Sequence, residues 1–276
     1  MSKADQIFIA NCREILDNGY EQREGSTRPH WEDGSPAYTR KSFGIVNRYD
    51  LAAEFPILTL RKINFQAAVD ELLWIWQKKS NRVAELNSRI WDSWAGPDGT
   101  IGKAYGYQLG IKHQYREGEF DQVDRVLYDL KHNPQSRRIM TNIYNHADLH
   151  EMNLYPCAYS MTFNVIDGRL CAILNQRSQD MLVANSWNVT QYAVLVHLMA
   201  HVSGLAVGEL VHVIADAHIY DRHIPMVEEL IARPEYPAPK LLINSEKSDY
   251  YTFTPEDFSL LDYQAGGSIG RIPVAV

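Results

Sequence analysis

An α+β fold in one domain is what the sequence predicts, and three observations carry that reading. Apolar and polar residues alternate on both sides of Asp167-Gly168, a dipeptide that favours a tight hairpin turn. Long segments near 64–78 and 188–203 are instead apolar at helical spacing. No internal repeat and no linker divides the 276 residues, a length that suits one large domain or two small ones.

The elements follow in order. Ile7 to Leu16 reads as an amphipathic helix stopped by Gly19. Residues 20–37 are polar and rich in Gly and Pro, a long loop that carries Arg23 and Arg28. Strands are predicted at Ser42 to Asn47 and Phe55 to Thr59. Asn64 to Lys78 is a largely buried helix with Asp70-Glu71 inside it. Asp70 is expected to reach a surface. Glu71, beside Leu72, Leu73 and Trp74, is either satisfied by a neighbouring donor or held in a site to move protons. Trp91 and Trp94 share one helical face, as a wall of the core or a stacking platform. Asp121 to Lys131 is a helix ended by Pro134. Ser136 to Met140 opens a strand, and Arg137 and Arg138 cannot both serve one pocket from a regular strand. One is solvated, or both precede the strand where the chain still turns. Tyr159 to Val165 and Leu170 to Asn175 form the hairpin, with Cys171 a packing thiol. Asn188 to Ser203 is a long helix capped by Gly204. Glu209 to Ala215 is a strand ending in Asp216-Ala217-His218-Ile219-Tyr220. Met226 to Ala232 is helical, and Lys240 to Asn244 is a last short strand.

Composition bounds the function. Hydrophobic residues make up 45% and charged ones 22%, ordinary for a globular protein. The formal charge of -7 disfavours non-specific nucleic-acid binding, although a local arginine cluster could hold a phosphate. The three cysteines, Cys12, Cys157 and Cys171, match no metal-ligand spacing, so no metal is expected. Met1 to Ala10 lacks the pattern of a secretory signal and no stretch reaches the length of a membrane span, so a reduced, cytoplasmic protein is expected.

The chemistry concentrates between Leu154 and Asn188. Cys157 stands at the entrance of the hairpin after Pro156, and Arg177 lies on the return arm, where it could come near. A lone cysteine is more often inert than catalytic. A free thiol is only a few per cent ionised at neutral pH, and a nearby guanidinium would lower its pKa and enrich the thiolate. His218 comes without the local sequence that surrounds the cysteine of cysteine proteases.

Taken together, the motifs resemble those of the thymidylate synthase family. They are Glu71-Leu72-Leu73-Trp74, Ile90-Trp91-Asp92-Ser93-Trp94, Tyr105-Gly106, Asp121-Gln122, Ser136-Arg137-Arg138-Ile139, Pro156-Cys157, Gln176-Arg177-Ser178-Gln179-Asp180, Asn188, Asp216-Ala217-His218-Ile219-Tyr220 and Pro273-Val274-Ala275-Val276. They come in the family's order and span nearly the whole chain. The resemblance implies that residues 1–276 form a single catalytic domain with a mixed central sheet flanked by helices, one sheet face forming a homodimer interface. It implies reductive methylation of dUMP to dTMP by 5,10-methylenetetrahydrofolate, which is both carbon donor and reductant and leaves as dihydrofolate. No nicotinamide, flavin or metal is then required. Cys157 would attack carbon 6 of the uracil and make carbon 5 nucleophilic.

Roles follow by position, as the resemblance implies them. Arg28, Arg177 and Ser178 would bind the dUMP phosphate, joined by Arg137 and Arg138 of a second copy. Asn188 would read the uracil edge, and His218 and Tyr220 would hold the sugar 3′-hydroxyl. Glu71 and Tyr105 would organise water and proton transfer. Asp180 would complete the nucleotide site and hold the pterin, Trp91 would pack on the folate, and the Val276 carboxylate would close over it. The chain departs from the family's usual pattern in four places: Ala158 stands for His, Ala184 for Gly, Ser186-Trp187 for Pro-Phe, and Arg61 for Lys. A sibling reading is a nucleotide hydroxymethylase, in which water ends the reaction. Its cytidylate version typically has Asp where Asn188 stands. A regulatory RNA-binding role is a further alternative that the charge disfavours.

Overall fold

The computed structural model describes residues 2–25 and 27–275. In chain order the helices and strands are α1 (Lys3–Asn18), β1 (Tyr20–Glu21), β2 (Thr39–Asp50), α2 (Phe65–Trp76), α3 (Gly106–Gly110), β3 (His113–Tyr115), β4 (Gly118–Phe120), α4 (Gln122–His132), β5 (Met140–Asn142), β6 (Ala158–Ile166), β7 (Arg169–Gln176), β8 (Gln179–Asp180), α5 (Ser186–Ser203), β9 (Ala206–Tyr220), α6 (Ile224–Ile231), β10 (Lys240–Ile243) and β11 (Phe258–Leu261). The main sheet runs β1-β2-β9-β7-β6-β5, with β8 added beside β9. It is mixed: β7 and β8 run parallel to β9, and the other neighbours are antiparallel. The β6–β7 hairpin turns at Asp167 and Gly168, whose φ values of 51° and 73° are what a two-residue turn of this hand requires. A parallel pair needs a crossover, and α5 supplies it between β7 and β9.

Helix α5 is apolar on nearly every side because it lies between the sheet and α2. Val194, Leu195, Val196, Leu198 and Met199 are all fully buried. Truncating Leu195 to alanine there would cost about 2–5 kcal/mol. Gly204 ends the helix with φ 69°, and its N–H donates to the carbonyls of Ala200 and His201. Glycine-free alternatives at that left-handed position would be strained. No helix among the described residues packs on the opposite sheet face, where Val46 is 55% and Met140 51% exposed and Ile173 also faces outward. The register aligns Arg48, Val211, Ile173, Thr162 and Met140 in one row across five strands.

The structure differs from the sequence expectations in places. Phe55 to Thr59 forms no strand, and the Ile57 N–H turns back to the Phe55 carbonyl at 3.1 Å. Phe55, Ile57 and Leu58 are buried, and Thr59 is held by Asp5, whose carboxylate accepts both its N–H and its hydroxyl. Side-chain anchoring thus replaces a ladder. Asp70 does not reach a surface: it is buried and accepts the Asn87 N–H at 2.9 Å. The strand after Pro134 starts only at Met140, so Arg137 and Arg138 occupy the turn before it, both exposed. The Trp91–Trp94 stretch is a 3-10 turn, not an α-helix. Strand β10 pairs with β11, which no alternation in the sequence had marked. No helix among the described residues is long and apolar enough to cross a membrane.

Candidate active site

The open end of the hairpin brings the chemistry together. Cys157 immediately precedes β6 and Arg177 immediately follows β7, and the Arg177 N–H donates to the Cys157 carbonyl at 3.0 Å. The Arg177 guanidinium turns back on the loop. Its Nη2 donates to the Tyr155 carbonyl at 2.7 Å and lies 3.8 Å from Cys157 Sγ, while Nε donates to the Pro156 carbonyl at 3.0 Å. Arginine's planar fork allows one side chain to brace the loop and face the thiol together. From another direction the Cys157 N–H donates to the Tyr105 hydroxyl at 3.2 Å. Tyr105 stands at φ 47°, just before α3. Gly106 follows it because a Cβ there would lie 2.3 Å from the Ser80 carbonyl oxygen.

Charge at the thiol is a balance. Burial pushes the Cys157 thiol up, and Arg177, Tyr105 and Arg28 pull it down; burial prevails and the pKa lies above its ordinary value. The expectation of an enriched thiolate is therefore corrected. The guanidinium acts in the foreseen direction, but desolvation of the half-buried sulfur outweighs it.

Asn188, in the first turn of α5, is held by a chain of amides. Its Oδ1 accepts from Gln176 Nε2 at 3.1 Å and Gln179 Nε2 at 3.4 Å, and its Nδ2 donates to Gln191 Oε1 at 3.3 Å. Gln176 is fixed in turn by His212, whose Nε2 lies 2.7 Å from Gln176 Oε1. Burial lowers the His212 pKa to about 3, so the ring is neutral, and because Oε1 can only accept, Nε2 carries the proton. Gln191 Nε2 donates to the Ala68 carbonyl at 3.2 Å, tying α5 to α2.

Glu71 lies across this junction, buried on α2. Burial raises its pKa to about 7, against the opposing effect of the Trp187 indole, whose Nε1 donates to Oε2 at 2.9 Å. The Trp91 ring packs edge-on to Tyr105, with centroids 5.0 Å apart, and also against Trp74 and Trp94. It walls both core and site.

Strand pairing places the remaining candidates. Asp180 on β8 sits opposite His218 on β9. Asp180 Oδ1 accepts the Leu182 and Val183 N–H groups at 2.9 and 3.1 Å, capping a π-helical turn at Met181–Asn185. Burial works against its charge, yet His223 and His218 hold its pKa below the ordinary value. His223 has its Nδ1 3.7 Å from Asp180 and donates from Nε2 to the Pro273 carbonyl at 2.8 Å, which fastens the tail beside Asp180. His218 Nδ1 pairs with Asp216 at 2.8 Å, and its ring meets Tyr220 edge-on at 5.0 Å. Ser178 is half-buried beside Arg177. Arg28 is exposed, yet close enough for its charge to act on Cys157 and Tyr220. Arg137 and Arg138 make no ion pair among the described residues and stay outside this cluster. Val276 lies outside the described residues. No group of three or more metal-ligating side chains occurs among those described.

Sequence reasoning missed Gln176, Gln179, Gln191, His212 and His223. A signal existed for two of them: Gln191 interrupts an apolar helix, and Gln176 falls on the buried side of its strand's alternation. Arg61 donates to the Leu182 carbonyl at 2.8 Å, so it braces the loop after Asp180.

Known proteins place this arrangement. The family model described as thymidylate synthase matches residues 6–276. A thymidylate synthase of Bacillus licheniformis is 44% identical over 274 residues, covering 98% of each chain. One from Bacillus phage phi3T is 43% identical over 274 residues, with the same coverage. Among solved structures, the thermostable thymidylate synthase A from Bacillus subtilis superposes with a TM-score of 0.95 at 41% identity, covering 100% of both chains. With matches across its length and a fold that superposes throughout, the chain belongs to the thymidylate synthase family.

Proposed function

We propose that this chain, acting as one catalytic domain over 1–276, converts dUMP to dTMP with 5,10-methylenetetrahydrofolate as second substrate. The observation that carries the reading is Cys157 Sγ 3.8 Å from Arg177 Nη2 at the open end of the hairpin, where Gln176, the residue before Arg177, orients the Asn188 amide. Cys157 bonds to carbon 6 of the uracil, and the electron pair displaced from the ring double bond makes carbon 5 the nucleophile. Carbon 5 takes the methylene group from the folate, a base removes the carbon 5 proton, tetrahydrofolate is eliminated, and its hydride reduces the exocyclic methylene, so the folate departs as dihydrofolate. Departure of Cys157 from carbon 6 frees dTMP.

The other side chains hold and move charge. Asn188 donates to oxygen 4 from its remaining Nδ2 hydrogen and accepts from N3–H at Oδ1, where the long 3.4 Å bond from Gln179 gives way. Arg28, Arg177 and Ser178 bind the phosphate, and Arg137 and Arg138 of a second copy complete the clamp. The uncovered apolar sheet face supports that dimer. His218 and Tyr220 bind the sugar hydroxyl. Glu71, with a pKa of about 7, takes and returns protons with Tyr105. The residues also suit the folate: Asp180 keeps its charge, its Oδ2 accepts no hydrogen bond among the described residues, and Trp91 offers an aromatic wall. A cytoplasmic location goes with this reading.

The test mixes the protein with dUMP and methylenetetrahydrofolate and identifies both products. Dihydrofolate and dTMP in equal amounts are expected. Tetrahydrofolate with a hydroxymethylated nucleotide would move the chain to the sibling activity. Changing Asn188→Asp is expected to weaken the preference for dUMP over dCMP, and an unchanged preference would count against the amide as base reader.

A further inference from the structure

The first turn of α5 does two things at once. Asn188 points its amide into the chain that runs through Gln176 and Gln191, while the residue before it, Trp187, donates its indole N–H to Glu71 Oε2 at 2.9 Å. Gln191, one turn on, reaches the carbonyl of Ala68, three residues before Glu71 on α2. The base-reading amide and the buried carboxylate are therefore fixed to each other through one helical turn. Trp91 Nε1, the other indole beside Glu71, is buried without a hydrogen-bond partner of good geometry among the described residues, and with Gln191 it adds to the lowering of the Glu71 pKa that Trp187 leads. The charged and titratable groups that face Glu71 are few. Asp70 on α2 repels it, and Tyr192 on α5 has a phenol that burial keeps protonated. No cation among the described residues acts on this carboxylate, and neutral N–H donors oppose its desolvation.

We propose that Trp187 is a positioning residue for Glu71: its indole N–H stabilises the ionised carboxylate and keeps it in register with the base-reading Asn188. The proposal rests on the function given above for Glu71, but its structural half does not. A phenylalanine at 187 would keep an aromatic ring and lose the donor, leaving Glu71 protonated to higher pH. Proton transfer by Glu71 would then be available only at more alkaline pH.

Two measurements on the full-length chain test this. In the first, kcat/KM for dUMP is followed against pH for the wild type and Trp187→Phe. The ratio of wild-type to Trp187→Phe kcat/KM, in which the titration of Cys157 cancels, is expected to be about tenfold at acid pH and to fall to within about twofold at alkaline pH. At pH ~6.5 that corresponds to roughly an eightfold loss. The second needs no activity. A double-mutant cycle of Trp187→Phe with Glu71→Gln is read by urea unfolding at about pH 6 and about pH 8.5. The coupling, as a ratio of unfolding constants, is expected to grow about tenfold toward alkaline pH. Equal coupling at both pH values overturns the proposal, as does a kcat/KM ratio that does not change with pH in an active enzyme. A wild type that makes no dihydrofolate would remove the functional reading, while the cycle would still decide whether Trp187 stabilises the charge. Should Trp187→Phe fail to fold, 3-benzothienylalanine at 187 keeps the fused-ring shape and lacks only the N–H. The same pH-dependent outcomes then apply.

Discussion

Removing Arg177 should make Cys157 a weaker nucleophile by a calculable amount. The guanidinium Nη2 stands 3.8 Å from Sγ. At an effective dielectric of about 20, a thiolate at that distance gains roughly 4 kcal/mol. Both groups are partly exposed, and screening reduces this to about 2 kcal/mol. That corresponds to about thirtyfold less thiolate at a given pH below the thiol pKa. Arg177→Met removes the charge together with the braces to Tyr155 and Pro156. Arg177→Lys keeps the charge and loses the fork, so it separates the two effects. The assay is the rate of alkylation by iodoacetamide against pH, in the absence of nucleotide, with the modified peptide identified by mass. Cys12 is fully buried and half-buried Cys171 lies within β7, so a Cys157→Ser control subtracts any background. The wild-type thiol should titrate above the ordinary range, because burial outweighs the guanidinium. Arg177→Met should react about thirtyfold more slowly near pH 8, and Arg177→Lys should fall between. An unchanged rate in Arg177→Met would refute the electrostatic reasoning.

Two further outcomes follow from the same geometry. Glu71→Gln should abolish most turnover yet stabilise the fold at alkaline pH. The folded-state pKa of Glu71 is raised from 4.5 to about 7, so its contribution is fully favourable only below the unfolded value and is lost as pH rises through 7. The gain from the amide at pH ~8 is about 3 kcal/mol at most, read by urea unfolding; equal effects at pH ~5 and ~8 would argue against a perturbed carboxyl. For the second, Cys157→Ser and Arg138→Ala homodimers should each be nearly inactive, and mixing them through mild unfolding and refolding should restore activity. The hybrid contains one site with an intact cysteine from one chain and an intact arginine from the other. Persistent inactivity would count against the shared phosphate clamp.

How much of this was legible in the sequence depended on the range of the interaction. The hairpin, α2, α4 and α5 declare themselves by periodicity and by local signals, the turn at Asp167-Gly168, the N-caps Asn64 and Asp121 and the stop at Gly204, because their causes lie within a few residues. Phe55 to Thr59 misled because an apolar run reads as a strand, whereas Asp5, some fifty residues earlier, supplies the hydrogen bonds a neighbouring strand would have supplied. Asp70 looked like a surface residue because its partner is a backbone N–H seventeen residues away. The residues around Cys157 were readable as motifs. Their relation was not, since Tyr105 reaches the Cys157 backbone across fifty-two positions. The amide chain behind Asn188 was least visible, because glutamines at 176, 179 and 191 become a network only when β7, β8, β9 and α5 meet.

Everything in the account converges on the sulfur of Cys157, and one substitution tests it most directly. Cys157→Ser keeps the size of the side chain and leaves the phosphate and base contacts in place. Measured together, dUMP binding should stay near the wild-type level while dTMP formation disappears. Turnover close to wild type in that variant would contradict covalent attack by Cys157 and the assignment of the site built around it.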